Sequence, residues 1–174
     1  MLNIFVNTWG NYNVNGADGG EWITLPMDAD DLQKELEKIA AAMGDNDPEF
    51  AVHDYEWTCE WEGREISEYE NIEDLNEYAQ KLDELSEWEQ KVYAAAVEYW
   101  GAEYVNPDDL DDYILYTGIT DNYDLGYYWA VDSGCYNTDE LGTLGRYIDY
   151  EAFGRDIALE ADGGFTSYGF IEVA

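Results

Sequence analysis

From Val92 through Gly145 the chain contains no Lys or Arg. Over all 174 residues, 41 Asp and Glu face 7 Lys and Arg, for a formal net charge of -34 at pH 7. Self-repulsion of this size works against a compact state. Yet 46% of the residues are hydrophobic and the chain holds 7 Trp, 16 Tyr and 5 Phe, side chains that a disordered acidic tail lacks. The chain is therefore expected to fold. Solubility alone is served by a net charge of about 2 to 8, so the excess calls for another explanation.

The charge excludes a nucleic-acid binder of the usual basic kind, because seven scattered cations cannot supply the phosphate contacts that release counterions. Anionic membrane surfaces are excluded on the same ground. The partner should be a cationic surface, bulk counterions or a metal. Two cysteines, Cys59 and Cys135, have no paired spacing and indicate neither a disulfide framework nor a zinc site. The N-terminus lacks a basic stretch before an apolar run, and no run of about 18 apolar residues occurs. The expected setting is cytoplasmic.

The pattern along the chain predicts an α+β protein. Residues 2–9 and 21–27 read as strands joined by a long loop rich in Gly and Asn. A helix over Ala29–Met43 follows, with Leu32, Leu36, Ile39, Ala40 and Met43 on one face, Asp28 as cap and Gly44 as stop. Residues 50–57 form a further strand, completing an antiparallel ββαβ unit. The composition then shifts near Glu60. Asn71 caps a helix running to about Leu85, and Ser86 with Glu89 forms a capping box opening a helix over Glu87–Trp100. Its buried face is expected to be Trp88, Val92, Ala95, Ala96 and Tyr99, and the two helices to form a hairpin. Asn106-Pro107 predicts a short helix from Asp108 to about Tyr116. Turn-rich residues follow, then helical stretches over 139–147 and 150–160 and a terminal strand over 168–173. The expected domains are 1–60 (N-terminal α+β), 61–104 (central helical) and 105–174 (mixed α+β).

The charge is unevenly interleaved, with twelve carboxylates and two basic residues between Glu60 and Glu89. On the helix after Asn71, Glu73 and Glu77 are four apart, as are Glu70 and Asp74, and each like-charge pair costs a few tenths of a kcal/mol. Asp108, Asp109, Asp111 and Asp112 place four anions in five residues. The acidic surface expected to meet a partner comprises Glu68, Glu70, Glu73, Asp74, Glu77, Asp83, Glu84 and Glu87 along the central helices. Asp108, Asp109, Asp111, Asp112, Asp121, Asp124, Asp139 and Glu140 extend it into the last third. Duplex DNA carries one charge per about 1.7 Å of axis, so 34 charges at that density would span about 58 Å. A compact globule of this length has a radius of gyration of only about 16 Å. A copy of the duplex's charge should therefore be elongated. Because phosphate contacts position DNA without reading its sequence, such a copy could block enzymes of different specificity.

Several segments together resemble the ArdA-type antirestriction proteins, DNA-mimic inhibitors carried on mobile elements against type I restriction-modification enzymes. They are Ile4-Phe5-Val6-Asn7-Thr8 with Tyr12-Asn13, Trp22-Ile23-Thr24-Leu25-Pro26, and Ala51-Val52-His53-Asp54-Tyr55-Glu56. Further on come Ile66-Ser67-Glu68, Asn71-Ile72 with Leu75-Asn76, and Tyr147-Ile148-Asp149-Tyr150-Glu151-Ala152-Phe153-Gly154-Arg155-Asp156. The resemblance implies three small domains in an elongated, curved chain, a homodimer, and a target in the methyltransferase and specificity core. Within the last motif, Tyr147, Tyr150 and Phe153 read as packing residues, as does Tyr55. Gly154 reads as a backbone or close-packing requirement, and Arg155 as a partner of local carboxylates such as Asp149 or Asp156.

Competing readings are an enzyme, a calcium protein, a high-salt acidic domain, and an inhibitor of another DNA-binding protein such as a nucleoid protein or a CRISPR effector. With 41 carboxylates, a pair at catalytic separation is expected by chance. His53 in its strand reads as a satisfied structural histidine, with no nucleophile elbow, Walker loop or zinc motif beside it. The run from Asp121 to Gly126 fails the EF-hand pattern at positions three and five. No catalytic residue, metal or cofactor is expected.

Overall fold

A computed structural model describes residues 1–59 and 63–174. The expected boundary between 60 and 61 falls outside the described residues. The chain is mixed α+β, with two small antiparallel three-stranded sheets, and divides into two compact units, Met1–Ser86 and Glu87–Ala174.

In the first unit, β1 (Leu2–Thr8) is the centre of a sheet ordered β2-β1-β3, with β2 at Glu21–Leu25 and β3 at Phe50–Trp57. Both neighbours are antiparallel to it, and the β1–β3 register shifts between Phe5 and Val6. Alternation along β1 and β2 puts Leu2, Ile4, Val6, Ile23 and Leu25 on one face. Leu32, Leu36 and Ile39 of α2 (Ala29–Met43) and Ile72, Leu75 and Ala79 of α3 (Ile72–Glu84) close the same core. Full burial of each such aliphatic side chain is worth about 1.5–3 kcal/mol. Gly44 ends α2 in the left-handed conformation, where a Cβ is disfavoured.

The stretch expected to be a loop after β1 contains a helix, α1 (Trp9–Asn15). It buries no residue, and polar side chains hold it. Thr8 Oγ1 accepts from the Asn11 backbone at 3.1 Å as N-cap. Asn11 donates to Asn7 at 3.0 Å and Asn15 to Asn11 at 2.8 Å, a ladder at i, i+4 spacing. Buried Asn7 also donates to the Gly16 carbonyl at 3.1 Å. Asparagines that read as turn formers are here helix-face hydrogen-bonding groups.

The second unit carries a sheet ordered β4-β6-β5, with β4 at Tyr113–Tyr116, β5 at Gly163–Thr166 and β6 at Gly169–Val173. Helix α4 (Glu87–Trp100) contacts these strands, and Val92, Tyr93, Ala94, Ala95 and Ala96 along it are buried. Trp88 and Tyr99, expected in its buried face, are 52% and 44% exposed. Five consecutive buried residues exceed a full turn, so α4 is covered all round at its middle, and Trp88 and Tyr99, nearer its two ends, lie beyond the covered turn. Tyr99 instead covers Gly164, where an added Cβ would stand 2.3 Å from its ring.

The helix expected over Asp108–Tyr116 is a single 3-10 turn at Leu110–Asp112 followed by β4. Tyr113-Ile114-Leu115-Tyr116 pairs with Phe170 through Val173, and sheet pairing overrides the helix-start signal of Asn106-Pro107. The turn-rich stretch holds α5 (Asn122–Tyr127), continued by a π-helical turn at Tyr128–Asp132. Its signal in the sequence was Asp121, whose carboxylate accepts from the Asp124 backbone at 2.9 Å. The segment over Thr138–Tyr147 is 3-10 helical with a break at Gly142, and α6 spans Tyr150–Glu160.

Candidate functional site

Thirteen of the expected surface carboxylates are exposed: Glu68, Glu73, Asp74, Glu77, Asp83, Glu84, Glu87, Asp108, Asp109, Asp111, Asp112, Asp121 and Glu140. Two are half-buried and engaged. Glu70 precedes α3 and receives Arg64 at 2.5 Å and the Ser67 backbone at 3.3 Å. It therefore does not stand on one helix face with Asp74, because Asn71 caps α3 between them. Asp124 Oδ2 accepts from the backbone and hydroxyl of Thr120 at 3.2 and 3.1 Å. The side chain of Asp139 lies outside the described residues.

Position on the elements offsets part of the repulsion. Glu73 and Asp74 lie in the first turn of α3, Glu87 and Glu89 in that of α4, Asp124 in that of α5 and Glu151 in that of α6. A carboxylate there gains about 0.3–1 kcal/mol from the helix dipole. Glu77, Asp83 and Glu84 are too far along α3 for that gain. Glu84 instead receives Gln80 at 2.8 Å.

On α2 the acids are interleaved with cations: Lys34 meets Asp31 at 2.6 Å, and Lys38 meets Glu35 at 2.9 Å and Glu21 at 3.4 Å. The hydrogen bonds that Lys34 donates to Asp31, and Lys38 to Glu35 and Glu21, hold both ammonium groups above the usual lysine range. Farther on, Arg155 contacts Asp156 at 3.5 Å. The first unit carries 22 Asp and Glu against 4 Lys and Arg, and the second 19 against 3, so both are strongly anionic. The acids of the Asp108–Asp112 segment act on a neighbour as well. Burial, followed by the charges of Asp112 and Asp109, raises the Tyr113 phenol above its ordinary range.

Of the four motif aromatics expected to pack, three do. Tyr55 lies against the first core, Tyr150 meets Tyr123 and Tyr127 edge-on at 5.7 and 5.2 Å, and Phe153 meets Tyr136 at 5.7 Å. Tyr147, expected to pack, is 80% exposed. The 3-10 segment turns it outward at the end of a break-containing helix. Asp149 caps α6 by accepting from the Ala152 backbone at 3.0 Å.

His53 lies in β3 but is not hydrogen-bonded as expected. Its buried Nε2 has no partner among the described residues, and the ring sits in an aromatic box, stacked 4.0 Å from Tyr12 and edge-on to Trp9 at 5.2 Å. Among the described residues no group of three or more His, Cys, Asp or Glu is placed to hold a metal ion. Cys59 and Cys135 are not joined in a disulfide, and no described helix is long and apolar enough to cross a membrane.

The family model for "Antirestriction protein (ArdA)" matches residues 4–172, nearly the whole chain. The chain belongs to the ArdA antirestriction family. Among curated proteins no match is found. Membership gives the exposed acids a context in this ArdA chain: antirestriction implies restriction-modification enzymes as targets, and those are proteins with cationic DNA-binding surfaces.

Proposed function

We propose that this protein is a DNA mimic that inhibits type I restriction-modification enzymes by occupying the DNA-binding groove of their methyltransferase and specificity core. The observation that carries the reading is that each unit exposes cation-poor carboxylates, along α3 in the first and at the start of α4 and over Asp108–Asp112 in the second. These acids stand in for phosphates, facing the Lys and Arg that normally hold the duplex. The mechanism is competitive exclusion, with no bond made or broken. Its strength is distributed over many weak pairs and screened by salt over a Debye length of about 8 Å at physiological ionic strength.

The protein acts in the cytoplasm, where those enzymes meet DNA, and as a homodimer, which doubles the charged length. Support for self-association comes from the apolar side chains left exposed in the second unit, among them Leu144 at 69% and Leu159 at 77% exposed. Sedimentation at micromolar concentration tests it, and a strict monomer removes it.

The deciding experiment titrates this protein against labelled duplex bound to a type I methyltransferase at 50 and 200 mM salt. Displacement of the duplex, weaker at the higher salt, is the expected result. A protein that folds only in molar salt and displaces nothing would be a high-salt acidic domain. Displacement from a nucleoid protein or a CRISPR effector, with none from the methyltransferase, would move the target to that class.

A further inference from the structure

A cleft of about 480 Å³ opens in the second unit between the Thr117–Ile119 turn and the segment from Tyr123 to Asp132. Three tyrosines and two carboxylates line it. Tyr123 and Tyr127, four apart on α5, stack with ring centres 6.4 Å apart and planes 19° apart, and Tyr150 braces both from behind. Tyr128 is fixed against Tyr116 at 5.3 Å and Trp129 at 5.9 Å. Asp124 is oriented by its two bonds from Thr120, and Asp132 stands exposed on the π-helical turn. Pre-set ring faces beside carboxylates form the kind of site that takes an organic cation.

We propose that this cleft receives one arginine side chain of a protein partner. The guanidinium plane stacks on the tyrosine faces while its N–H groups reach the carboxylates, a pairing that a lysine ammonium, compact and strongly hydrated, makes less well. A divalent cation is a poor fit, since it needs six or more oxygens and finds rings. No cation from the same stretch of chain competes, because Lys and Arg are absent from Val92 through Gly145. That the arginine belongs to a restriction enzyme's DNA-binding surface rests on the proposed function. The cleft adds to that reading a discrete anchor inside an otherwise distributed electrostatic contact.

The test is heteronuclear NMR on the full chain in 0.3 M NaCl, titrated with N-acetyl-arginine amide, its lysine counterpart and the neutral citrulline counterpart. The expected result is saturable shifts at Gly118 and Ile119 with the arginine compound, about threefold weaker binding of the lysine compound, and none of citrulline. Tyr123→Leu and Asp132→Asn should each weaken the arginine compound about threefold. Asp132 is exposed, so its variant keeps the test valid if the tyrosine variant is unstable. Shifts scattered over α3 and α4 without preference for the cleft overturn the proposal, as does wild-type affinity in both variants.

A second arm measures displacement of duplex from a type I methyltransferase by wild type and Asp132→Asn. Weaker displacement by the variant supports the target assignment, and unchanged displacement overturns that assignment while leaving mimicry standing. If wild type itself displaces nothing, the proposed function fails and takes the target assignment with it. The NMR arm then decides the cleft alone.

Discussion

Gly126 of α5 and Gly154 of α6 touch backbone to backbone. A Cβ built on Gly126 would lie 2.7 Å from the Gly154 nitrogen and 1.9 Å from the Tyr150 carbonyl oxygen. One built on Gly154 would lie 2.6 Å from the Gly126 nitrogen and 1.8 Å from the Asn122 carbonyl oxygen. The two helices therefore cross at a distance that only a pair of glycines permits. This contact holds Tyr150 against Tyr123 and Tyr127 and so shapes the cleft above them.

Gly154→Ala and Gly126→Ala should each destabilise the protein by about 3 kcal/mol or more, the upper range for overpacking, because backbone rather than a flexible side chain must give way. Gly145→Ala is the control. Its Cβ would come no closer than 3.4 Å to any neighbour, so its effect should stay within about 0.5 kcal/mol. Urea denaturation of the three variants checks the order.

Buried Asn76 clamps the chain after β2, accepting from the Met27 backbone N–H at 2.9 Å and donating to the Met27 carbonyl at 2.8 Å. Asn76→Leu removes both bonds and strands two backbone groups, each worth about 1–3 kcal/mol when left unsatisfied. A loss of about 2–4 kcal/mol is expected, with the fold of the second unit intact by circular dichroism.

Salt should act on stability and on inhibition with opposite signs. Raising ionic strength from 0.01 to 0.15 M shortens the Debye length from about 30 to about 8 Å. Screening then relieves the self-repulsion of a chain at -34 and raises its melting temperature. The same screening weakens binding to a cationic groove. Thermal melts and displacement titrations over one salt series read both slopes, and slopes of equal sign would contradict the electrostatic account.

Distribution of the binding surface is tested by counting charges. Glu77→Gln alone should change displacement of the duplex by less than about threefold, since an exposed ion pair is worth about 0–1 kcal/mol. Reversal of Glu73, Glu77, Asp83 and Glu84 to Lys should abolish it. A single carboxylate whose loss alone abolished inhibition, with its neighbours indifferent, would replace the distributed surface by a point contact.

Tyr116 sets an alkaline limit. Burial, reinforced by its 2.8 Å hydrogen bond to Glu172, raises its phenol far above the ordinary value. A group whose folded pKa is raised contributes stability fully present below its unfolded pKa of about 10 and lost as pH climbs beyond it. Stability should therefore fall above about pH 10, and Tyr116→Phe should flatten that fall while lowering stability at pH 7. Denaturation midpoints at pH 7, 9 and 11 give the comparison.

Much of the fold was legible in the residues, because β1, α2, β3, α3, α4 and α6 each carry a full apolar period with a cap or stop at the end. Gly44 stops α2, whose N-cap position Asp28 holds without a side-chain hydrogen bond, and Asn71 caps α3 by accepting from the Asp74 backbone. The elements that departed from expectation are short, and their sequences satisfy two conformations about equally. Tyr113–Tyr116 became a strand because β6 offered a pairing edge, and Trp9–Asn15 became a helix because three asparagines bond along one face. The strand's partner is remote in sequence, whereas the asparagines stand four apart in a stretch whose composition reads equally as a turn.

The candidate surface divides in the same way. Sequence by itself determined that the acids outnumber their possible partners nearly sixfold, so most of them must face outward without a cation. Which ones remain free was decided in three dimensions, where Arg64 reaches Glu70 across six residues and Thr120 engages Asp124. The tyrosine cleft likewise exists only because two glycines bring α5 and α6 into contact. Charge is additive along a chain and can be counted from it, whereas side-chain pairing and cavity shape depend on distances that only packing sets.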